Sequence, residues 1–477
     1  MAFLLLLGIL AVILVIVKLA AVALADAKAR RQRLFHEWQV GAQSVGLHVQ
    51  RFSDSELRAR GMIQEVPVNA TLTVEVEHNN QTVYRSALWA NSASIPRQLQ
   101  VQRDSTLRSM ARFIEGDDVP IGDAHFDELI ELPAVDAHIC AALNYKARGQ
   151  LTKLLNWGVY VQDGAVVCRS TWTQEQNRQL APLLQSIASL ARLLSVPSGE
   201  LAKRLAYNVL NDPAAAVQLQ NLRYLIAPET NAPHDLLQSA VEPLLSHVHA
   251  PLRLLAAQHA GAQGREALRV LANDGSVPLD MRIQAVLSLG ARPELRDLDG
   301  LRSVLVDSSP PELQCAALSA VGASSDAALL DSVHHCTRSQ HDSVRAAAAR
   351  ALGVLASPQS EPVLVALLAD ASADVQQCSA ESLGLFGSIA AVEPLVPLAE
   401  SLVRPRLRQT ARGAIGRIQS RLGDAEAGRL TLSHPHDLAG ALDVAHTSAG
   451  YRAGELSLSE DEDVAAAPRA SSVRGSS

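Results

Sequence analysis

The sequence is poor in several features on which common protein functions depend. Aromatic residues make up 3% of the 477 residues, which favours a core of alanine and leucine over a sheet-rich core. The net charge of -7 disfavours a protein built primarily to hold nucleic acid. The five cysteines show no paired spacing, which indicates reduced thiols in a cytosolic compartment. They are Cys140, Cys168, Cys315, Cys336 and Cys378.

Motifs of enzymatic chemistry are also absent. The sequence contains no phosphate-binding loop, dinucleotide fingerprint, G-x-S-x-G, HExxH or paired CxxC. The nearest approach to a ligand cluster is His334-His335-Cys336. Adjacent residues of a helix point to different faces, so at most two of these three could share a metal. We therefore predict a protein that is not an enzyme and has no catalytic residue, cofactor or metal.

A cluster of four aspartates and one histidine allows two interpretations. Carboxylates bind hard cations, so the cluster could form a cation site, but its spacing matches no EF-hand loop. Acidic residues in a turn also act as turn formers that water solvates, and we prefer this interpretation. The residues concerned are Asp117, Asp118, Asp123, His125 and Asp127.

The longest apolar run, residues 2–25, predicts a transmembrane anchor over residues 1–25. At about 1.5 Å per helical residue it can cross a hydrocarbon core of about 30 Å. Basic residues follow it from Lys28 to Arg33 and none precedes it, which predicts a single pass through the inner membrane with the N-terminus outside and all later domains in the cytoplasm. The alternative is a cleaved signal peptide that ends at Ala23-Leu24-Ala25. Residues 26–56 continue as a polar juxtamembrane helix.

Residues 57–173 predict a small α+β domain. Leu72, Val74 and Val76 alternate with polar residues, and Asn79-Asn80 offers a hairpin turn before a second strand. A second hairpin turns at Asp163-Gly164.

Other segments of this domain carry weaker patterns. We expect a third strand around Leu99 and Val101, and helices at 104–113 and 135–154. Residues 121–132, IGDAHFDELIEL, resemble an IGDxxFD motif in the soluble domains of uncharacterised bacterial membrane proteins. The similarity extends loosely over residues 60–172 and implies no activity.

Residues 251–422 repeat one pattern six times with a period near 31, which is typical of stacked supersecondary units. Each unit has an apolar anchor, a small residue four positions later and a glycine nine positions later. The pattern predicts pairs of short helices that are stable only when they stack on their neighbours. We expect the glycine to end or loosen the first helix of each pair. The anchors are Leu252, Met281, Leu313, Val344, Val375 and Leu407.

These units resemble the HEAT family of helical repeats, in the short alanine-rich variety that also occurs in phycobilin lyases. The resemblance implies a right-handed α-solenoid of helix pairs. An arginine follows the anchor in four units, whereas Gln314 and Gln376 replace it in two others. The four arginines are the candidate partner-binding residues: Arg253, Arg282, Arg345 and Arg408.

The flanking regions complete the organisation. Residues 174–250 are helical but out of register, and we expect them to cap the N-terminal end of the solenoid. The arginines of the last repeat are expected to form a solvated outer face, and a phosphate-binding patch is the alternative. Residues 423–477 predict a disordered tail with three G-x-L motifs, which are either linker or docking segments.

The sequence therefore predicts a multidomain, mainly α-helical protein. The favoured function is a membrane-anchored cytoplasmic scaffold whose solenoid binds a protein partner. A HEAT protein that binds nucleic acid is the alternative, and a lyase-like enzyme is a further one that rests on the repeat subtype alone.

Overall fold

The structure, a computed structural model, describes residues 2–76, 82–103, 119–324, 326–423, 430–432 and 442–444. Only the backbone is described for residues 2–13, 102–103, 131, 294, 422–423 and the last two short segments. The chain divides into two compact units, residues 1–267 and 268–477.

The first unit begins with one long helix, α1, at Ala2–Ser44. Its C-terminal half buries Leu34, Phe35, Trp38 and Ala42 in the core of the unit. The first half of the predicted anchor lies outside the residues whose side chains are described. Within the described part of the chain, no helix is long and apolar enough to cross a bilayer.

A six-stranded antiparallel sheet follows α1, in the order β1-β2-β3-β4-β8-β7. Its first strand and the start of the second occupy residues for which the sequence predicts helix. The prediction of a helix as far as Glu56 is wrong beyond Ser44, because the edge strand β1 carries polar residues on both faces and so lacks the alternation that identifies a strand. The strands are β1 His48–Ser53, β2 Glu56–Ile63, β3 Val66–Val76, β4 Thr82–Asn91, β7 Val159–Gln162 and β8 Ala165–Thr171.

Both predicted hairpins are present as antiparallel strand pairs. Val76 faces Thr82 across the first, whose predicted turn at residues 79–80 lies outside the described residues. In the second hairpin, Asp163 and Gly164 have φ of 53° and 76°, the left-handed values that a tight two-residue turn requires.

The predicted third strand is wrong. Val101 makes only an isolated bridge to Val161, and the next two residues form β5, Gln102–Arg103, which pairs with β6, Ile130–Glu131. Leu99 and Val101 are buried although Leu99 lies outside any strand, so apolar burial here follows from packing of a loop. The predicted helix at 104–113 lies outside the described residues.

The remaining elements of the first unit are helices that share one apolar core with α1 and the sheet. The expected helix at 135–154 is two helices, because Asn144 accepts hydrogen bonds from the amides of Lys146 and Ala147 and starts a new one. The helices are α2 Ala124–Leu129, α3 Ala137–Ala142, α4 Tyr145–Leu154, α5 Gln174–Asn177, α6 Leu180–Leu194, α7 Leu201–Asn211, α8 Ala215–Ile226, α9 His234–Val241 and α10 Ala250–His259. A further helix, α11, spans Ala262–Asn273.

The second unit consists of alternating long and short helices, as the repeat pattern predicts. The long helices pack side by side in chain order, and a 3-10 turn precedes each short one. The long helices are α12 Leu279–Ala291, α14 Pro311–Ser324, α16 Asp342–Leu355, α18 Ala373–Phe386 and α20 Pro405–Gly423. The short helices are α13 Leu298–Val304, α15 Leu330–Cys336, α17 Glu361–Leu367 and α19 Val392–Ala399.

In five of the six repeats the glycine lies within a helix and does not end it. Gly353 lies within α16, which continues to Leu355 and ends where Ala356 adopts a left-handed conformation. A Cβ added to Gly353 would lie 2.7 Å from the Cβ of Ser382 on the next long helix. Gly353 therefore allows neighbouring long helices to approach closely, and the expectation that it ends its helix is wrong. At Gly261 the expectation is confirmed, because this glycine has a φ of 56° and lies between the end of α10 and the start of α11.

The predicted tail falls almost wholly outside the described residues. Two short strands, β9 at Leu430–Leu432 and β10 at Leu442–Val444, pair antiparallel with each other. Each comes from one G-x-L motif, so these two motifs pair with one another.

Candidate interaction surfaces of the repeats

In four repeats, the polar residue that follows the anchor bonds to the end of the preceding segment. Carbonyl groups at a helix end lack intrahelical donors, so a side chain that reaches them completes the turn between two repeats. Glutamine does this as well as arginine, which explains why both occur at this position. The donor and acceptor pairs are Arg282 to Ala272 O at 3.0 Å, Gln314 to Val306 O at 2.5 Å, Arg345 to Ser339 O at 2.9 Å and Gln376 to Asp370 O at 2.8 Å.

Arg345 also forms the best-defined ion pair of the second unit. Its Nε and Nη2 donate to the two carboxylate oxygens of Asp370 at 2.8 and 2.9 Å, and the amide of Ser372 donates to the same carboxylate. The hydrogen bond from Arg345 holds the pKa of Asp370 below its ordinary value, while the partial burial of the carboxyl acts in the opposite direction. This bidentate pair joins α16 to the turn before α18.

The four candidate arginines do not form one site. Each is half-buried, and Arg253 belongs to the first unit whereas Arg282, Arg345 and Arg408 belong to the second. Arg282 and Arg345 bond within the fold, as described above. Contact of the four with a partner stays a prediction.

A different pair of residues offers apolar surface at a repeated position. Val354 and Leu385 are 53% and 56% exposed, and each lies ten residues after its anchor, Val344 or Val375. Since α16 and α18 pack side by side, the two side chains occupy equivalent places on neighbouring helices. The repeat pattern could have indicated them, because this position carries alanine in three other repeats.

The IGDxxFD motif has a structural role in the first unit. Asp127 accepts hydrogen bonds from the amides of Ile121 and Gly122 at 3.0 and 2.9 Å. Gly122 has a φ of 99°, and a Cβ there would lie 2.8 Å from that of Ala216. Asp123 caps α2 through the amide of Phe126. Glycine and both aspartates are thus explained by backbone geometry.

The same motif connects to a buried charge. Arg148, 2% exposed, donates to Asp123 at 2.8 Å, to both oxygens of the fully buried Asp212 at 2.8 and 2.9 Å, and to the carbonyl of Leu143. Burial acts to raise the pKa of Asp123, but the hydrogen bond from Arg148, the hydrogen bond from the amide of Phe126 and the charge of Arg148 together hold that pKa below its ordinary value. The arginine therefore ties α2, α4 and the end of α7 together.

The residues that could suggest chemistry are engaged elsewhere or separated. His334 lies 3.0 Å from the hydroxyl of Ser360, whereas His335 lies 3.3 Å from Asp307. Burial raises the pKa of the Cys336 thiol to about 11, so this cysteine is a poor nucleophile. Among the described residues, no three His, Cys, Asp or Glu side chains are grouped so that they could hold a metal. Asp117 and Asp118 lie outside those residues.

Comparison with known proteins bears on the repeats. Residues 330–416 match the family of HEAT repeats, whereas no curated protein matches the chain. Among solved structures, an engineered protein is similar at 21% identity over 49% of this chain and 71% of that one, with a TM-score of 0.31. Human deoxyhypusine hydroxylase in complex with glycerol follows at 17% identity, 50% and 91% coverage and a TM-score of 0.25. A second engineered protein has 20% identity, 46% and 96% coverage and a TM-score of 0.22. The family match, together with the alternating long and short helices, confirms that the chain contains HEAT-like repeats.

Proposed function

We propose that the protein is a membrane-anchored scaffold of the inner membrane, with its folded units in the cytoplasm, and that its HEAT-like repeats bind a protein partner. The observation that carries this proposal is the exposed apolar pair Val354 and Leu385 on neighbouring repeat helices. Helical repeats suit such a role because stacking produces an extended surface to which many units contribute.

The chemistry of that pair favours a protein over a nucleic acid. Long helices that pack side by side lie about 8–10 Å apart, so Val354 and Leu385 are close enough for one partner segment to cover both. Burial of apolar side chains drives protein association, whereas affinity for nucleic acid comes mainly from phosphate contacts. Arg345, which would be available for phosphate contacts if it were free, is paired with Asp370.

Helix α1 supports attachment to a membrane. All large apolar side chains described between residues 14 and 24 are 55–75% exposed. Ten residues later, the same helix buries Leu34 and Phe35 in the core of the first unit. An apolar segment that water would solvate poorly, followed by basic residues 28–33, fits a lipid-embedded helix with its C-terminal end in the cytoplasm.

Site-specific photocrosslinking in intact membranes tests the partner surface. A photoreactive amino acid is introduced in place of Val354 or Leu385 in the full chain, and Arg338, an exposed polar position of the same unit, serves as the control. We expect the same protein to be captured from positions 354 and 385 but not from 338. Capture of no protein from either apolar position, or of the same set from all three, would contradict the proposal.

A topology reporter tests the membrane part separately. Two reporter enzymes are fused after Ser477 in separate experiments, one that is active only in the cytoplasm and one that is active only after export. We expect activity from the cytoplasmic reporter alone. Activity confined to a reporter of the exported compartment would overturn the orientation while leaving the partner surface open to the crosslinking test.

Full-length protein should bind duplex DNA only weakly, with the steep salt dependence of non-specific phosphate contacts.

A further inference from the structure

The last repeat helix carries an unusual excess of positive charge. Residues 401–423 contain six arginines and no acidic residue. Three of the arginines donate to neutral acceptors: Arg404 to Gln376 Oε1 at 2.7 Å, Arg412 to Ala399 O at 3.0 Å, and Arg421 to Gly384 O at 2.6 Å. Within the described part of the chain, none of the six pairs with a carboxylate. Their charge is therefore not compensated by the repeats. The six are Arg404, Arg406, Arg408, Arg412, Arg417 and Arg421.

Two of these arginines line a groove between α18 and α20. The groove has a volume of about 440 Å³, and its single carboxylate, Glu381, accepts a hydrogen bond from Gln377 at 2.9 Å. Arg406 and Arg417 are eleven residues apart on α20. At 3.6 residues per turn they share one face of the helix, and at about 1.5 Å per residue they lie about 16 Å apart along it. The lining residues are Gln377, Glu381, Arg406, Gln409, Thr410, Gly413 and Arg417.

The chain itself contains a segment of complementary charge. Residues 455–463 contain five acidic residues and no basic one. Glu455 and Glu460 are five residues apart in the sequence. Five residues of extended chain cover about 16 Å, which equals the spacing of the two groove arginines along α20. The segment lies outside the described residues. Its acidic residues are Glu455, Glu460, Asp461, Glu462 and Asp463.

The connection is long enough for the segment to reach the groove. Residues 424–454 separate α20 from it, and β9 and β10 pair within this stretch. Counting only the 6 residues before β9 and the 10 after β10 gives 16, which span up to about 50 Å when extended. Helix α20, with 19 residues, is about 28 Å long. Every point along the groove is therefore within reach.

We infer that residues 455–463 bind in the groove between α18 and α20 of the same chain, with Arg406 and Arg417 as their charge partners. The bound segment covers the exposed face of the last repeat. Any other acidic ligand of that face would compete with the segment, and the contact weakens as salt concentration rises. This inference does not depend on the membrane anchor or on the Val354 and Leu385 surface.

Zero-length carbodiimide crosslinking of the full-length chain tests the contact. The sequence has five lysines, none of them after residue 203, so a lysine introduced by Arg406→Lys or Arg417→Lys is a unique amine in the second unit and keeps the charge. Arg338→Lys, at an exposed position outside the groove, is the matched control. Peptide mass spectrometry should find isopeptide bonds from the groove lysine to residues 455–463, at least about tenfold above the control and strongly reduced at 1 M salt, where the screening length is about 3 Å.

Two further arms decide between the possible sources of a crosslink. Mixing isotopically labelled and unlabelled chains distinguishes a contact within one chain from one between two copies. Replacing the four residues 460–463 by their amides should abolish crosslinks to that stretch and release the groove lysine for reaction with added acidic peptide. Crosslinks that form only between chains, or that do not exceed those of Arg338→Lys, would overturn the inference.

Discussion

The two units of the molecule are stabilised in contrasting ways. The first unit has a buried polar network centred on Arg148, in which Asp212 is fully buried. A second buried side chain of this unit, Asn208, donates to the carbonyl of Cys140. The second unit repeats one packing solution, in which alanine and glycine let long helices approach closely. Directional bonds define a single junction between non-equivalent elements, whereas small residues allow an arrangement to be repeated along a stack.

The largest expected effect comes from breaking the network of the first unit. Arg148→Met would leave the buried carboxylate of Asp212 without its partner, which should lower the free energy of unfolding by about 3–5 kcal/mol. Denaturant unfolding of the full chain, followed by circular dichroism, measures the loss. Arg302→Met, which removes an exposed pair with Asp299, is the control and should cost less than about 1 kcal/mol. Equal losses in the two variants would remove the contrast between the units.

That network illustrates what sequence alone does not indicate. Arg148 is separated from Asp123 by 25 residues and from Asp212 by 64, and no local period relates residues so far apart. The IGDxxFD motif is recognisable, but its purpose depends on Arg148 and Ala216, which lie outside it. The strand β1 escapes prediction for another reason: polar residues lie on both of its faces, His48 and Gln50 on one and Arg51 on the other, so the alternation by which a strand is normally identified is missing.

The repeats, by contrast, can be predicted because the same pattern of anchor, small residue and glycine recurs in each unit. Anchors such as Val344 and Val375 are fully buried, as the period predicts. The role of the next residue is not apparent from the sequence, since a polar side chain in register can face either a partner or a backbone carbonyl. The carbonyls that Arg282 and Arg345 bind become visible only when the preceding helix end is placed. The apolar pair at Val354 and Leu385 likewise becomes apparent only from the exposure of the two side chains.

Overpacking a helix junction should disrupt the close packing of the long helices in the second unit. Ala348 is fully buried in α16, which packs between α14 and α18. Ala348→Leu should destabilise the unit by about 1–3 kcal/mol, because the added atoms have no space without moving a neighbouring helix. Thermal unfolding measures this effect. A wild-type melting temperature would show that Ala348 does not lie at a close helix junction.

Two repeat glycines sharpen the same point, because they occupy one position of the pattern in different surroundings. In Gly353→Ala the new Cβ would lie 2.7 Å from the Cβ of Ser382, whose hydroxyl donates to the carbonyl of Ala349, so we expect a loss of about 1–2 kcal/mol. A Cβ added to Gly416 would meet no neighbouring atom within 4 Å, and Gly416→Ala should stabilise α20 by about 0.5–1 kcal/mol. Urea unfolding of the two variants should give changes of opposite sign. Destabilisation by both substitutions would mean that glycine is required for backbone conformation, and stabilisation by both would mean that Gly353 does not lie at a close helix junction.

The smallest expected effect concerns the one bidentate ion pair described in the second unit, between Arg345 and Asp370. Because the folded-state pKa of Asp370 lies below the ordinary value of about 3.9, its contribution to stability is present above that value and is lost as pH falls through the folded pKa. Both side chains are partly exposed, so we expect Asp370→Asn to cost only about 0.5–1 kcal/mol near neutral pH. Unfolding measured at pH 7 and again below pH 3 should show the difference between variant and wild type shrinking at the lower pH. A difference that stays constant with pH would assign the effect to the hydrogen bond with Ser372 and not to charge. In that case packing and neutral hydrogen bonds, without a contribution from charge, would join these repeats, and the contrast with the charged network of the first unit would be sharper.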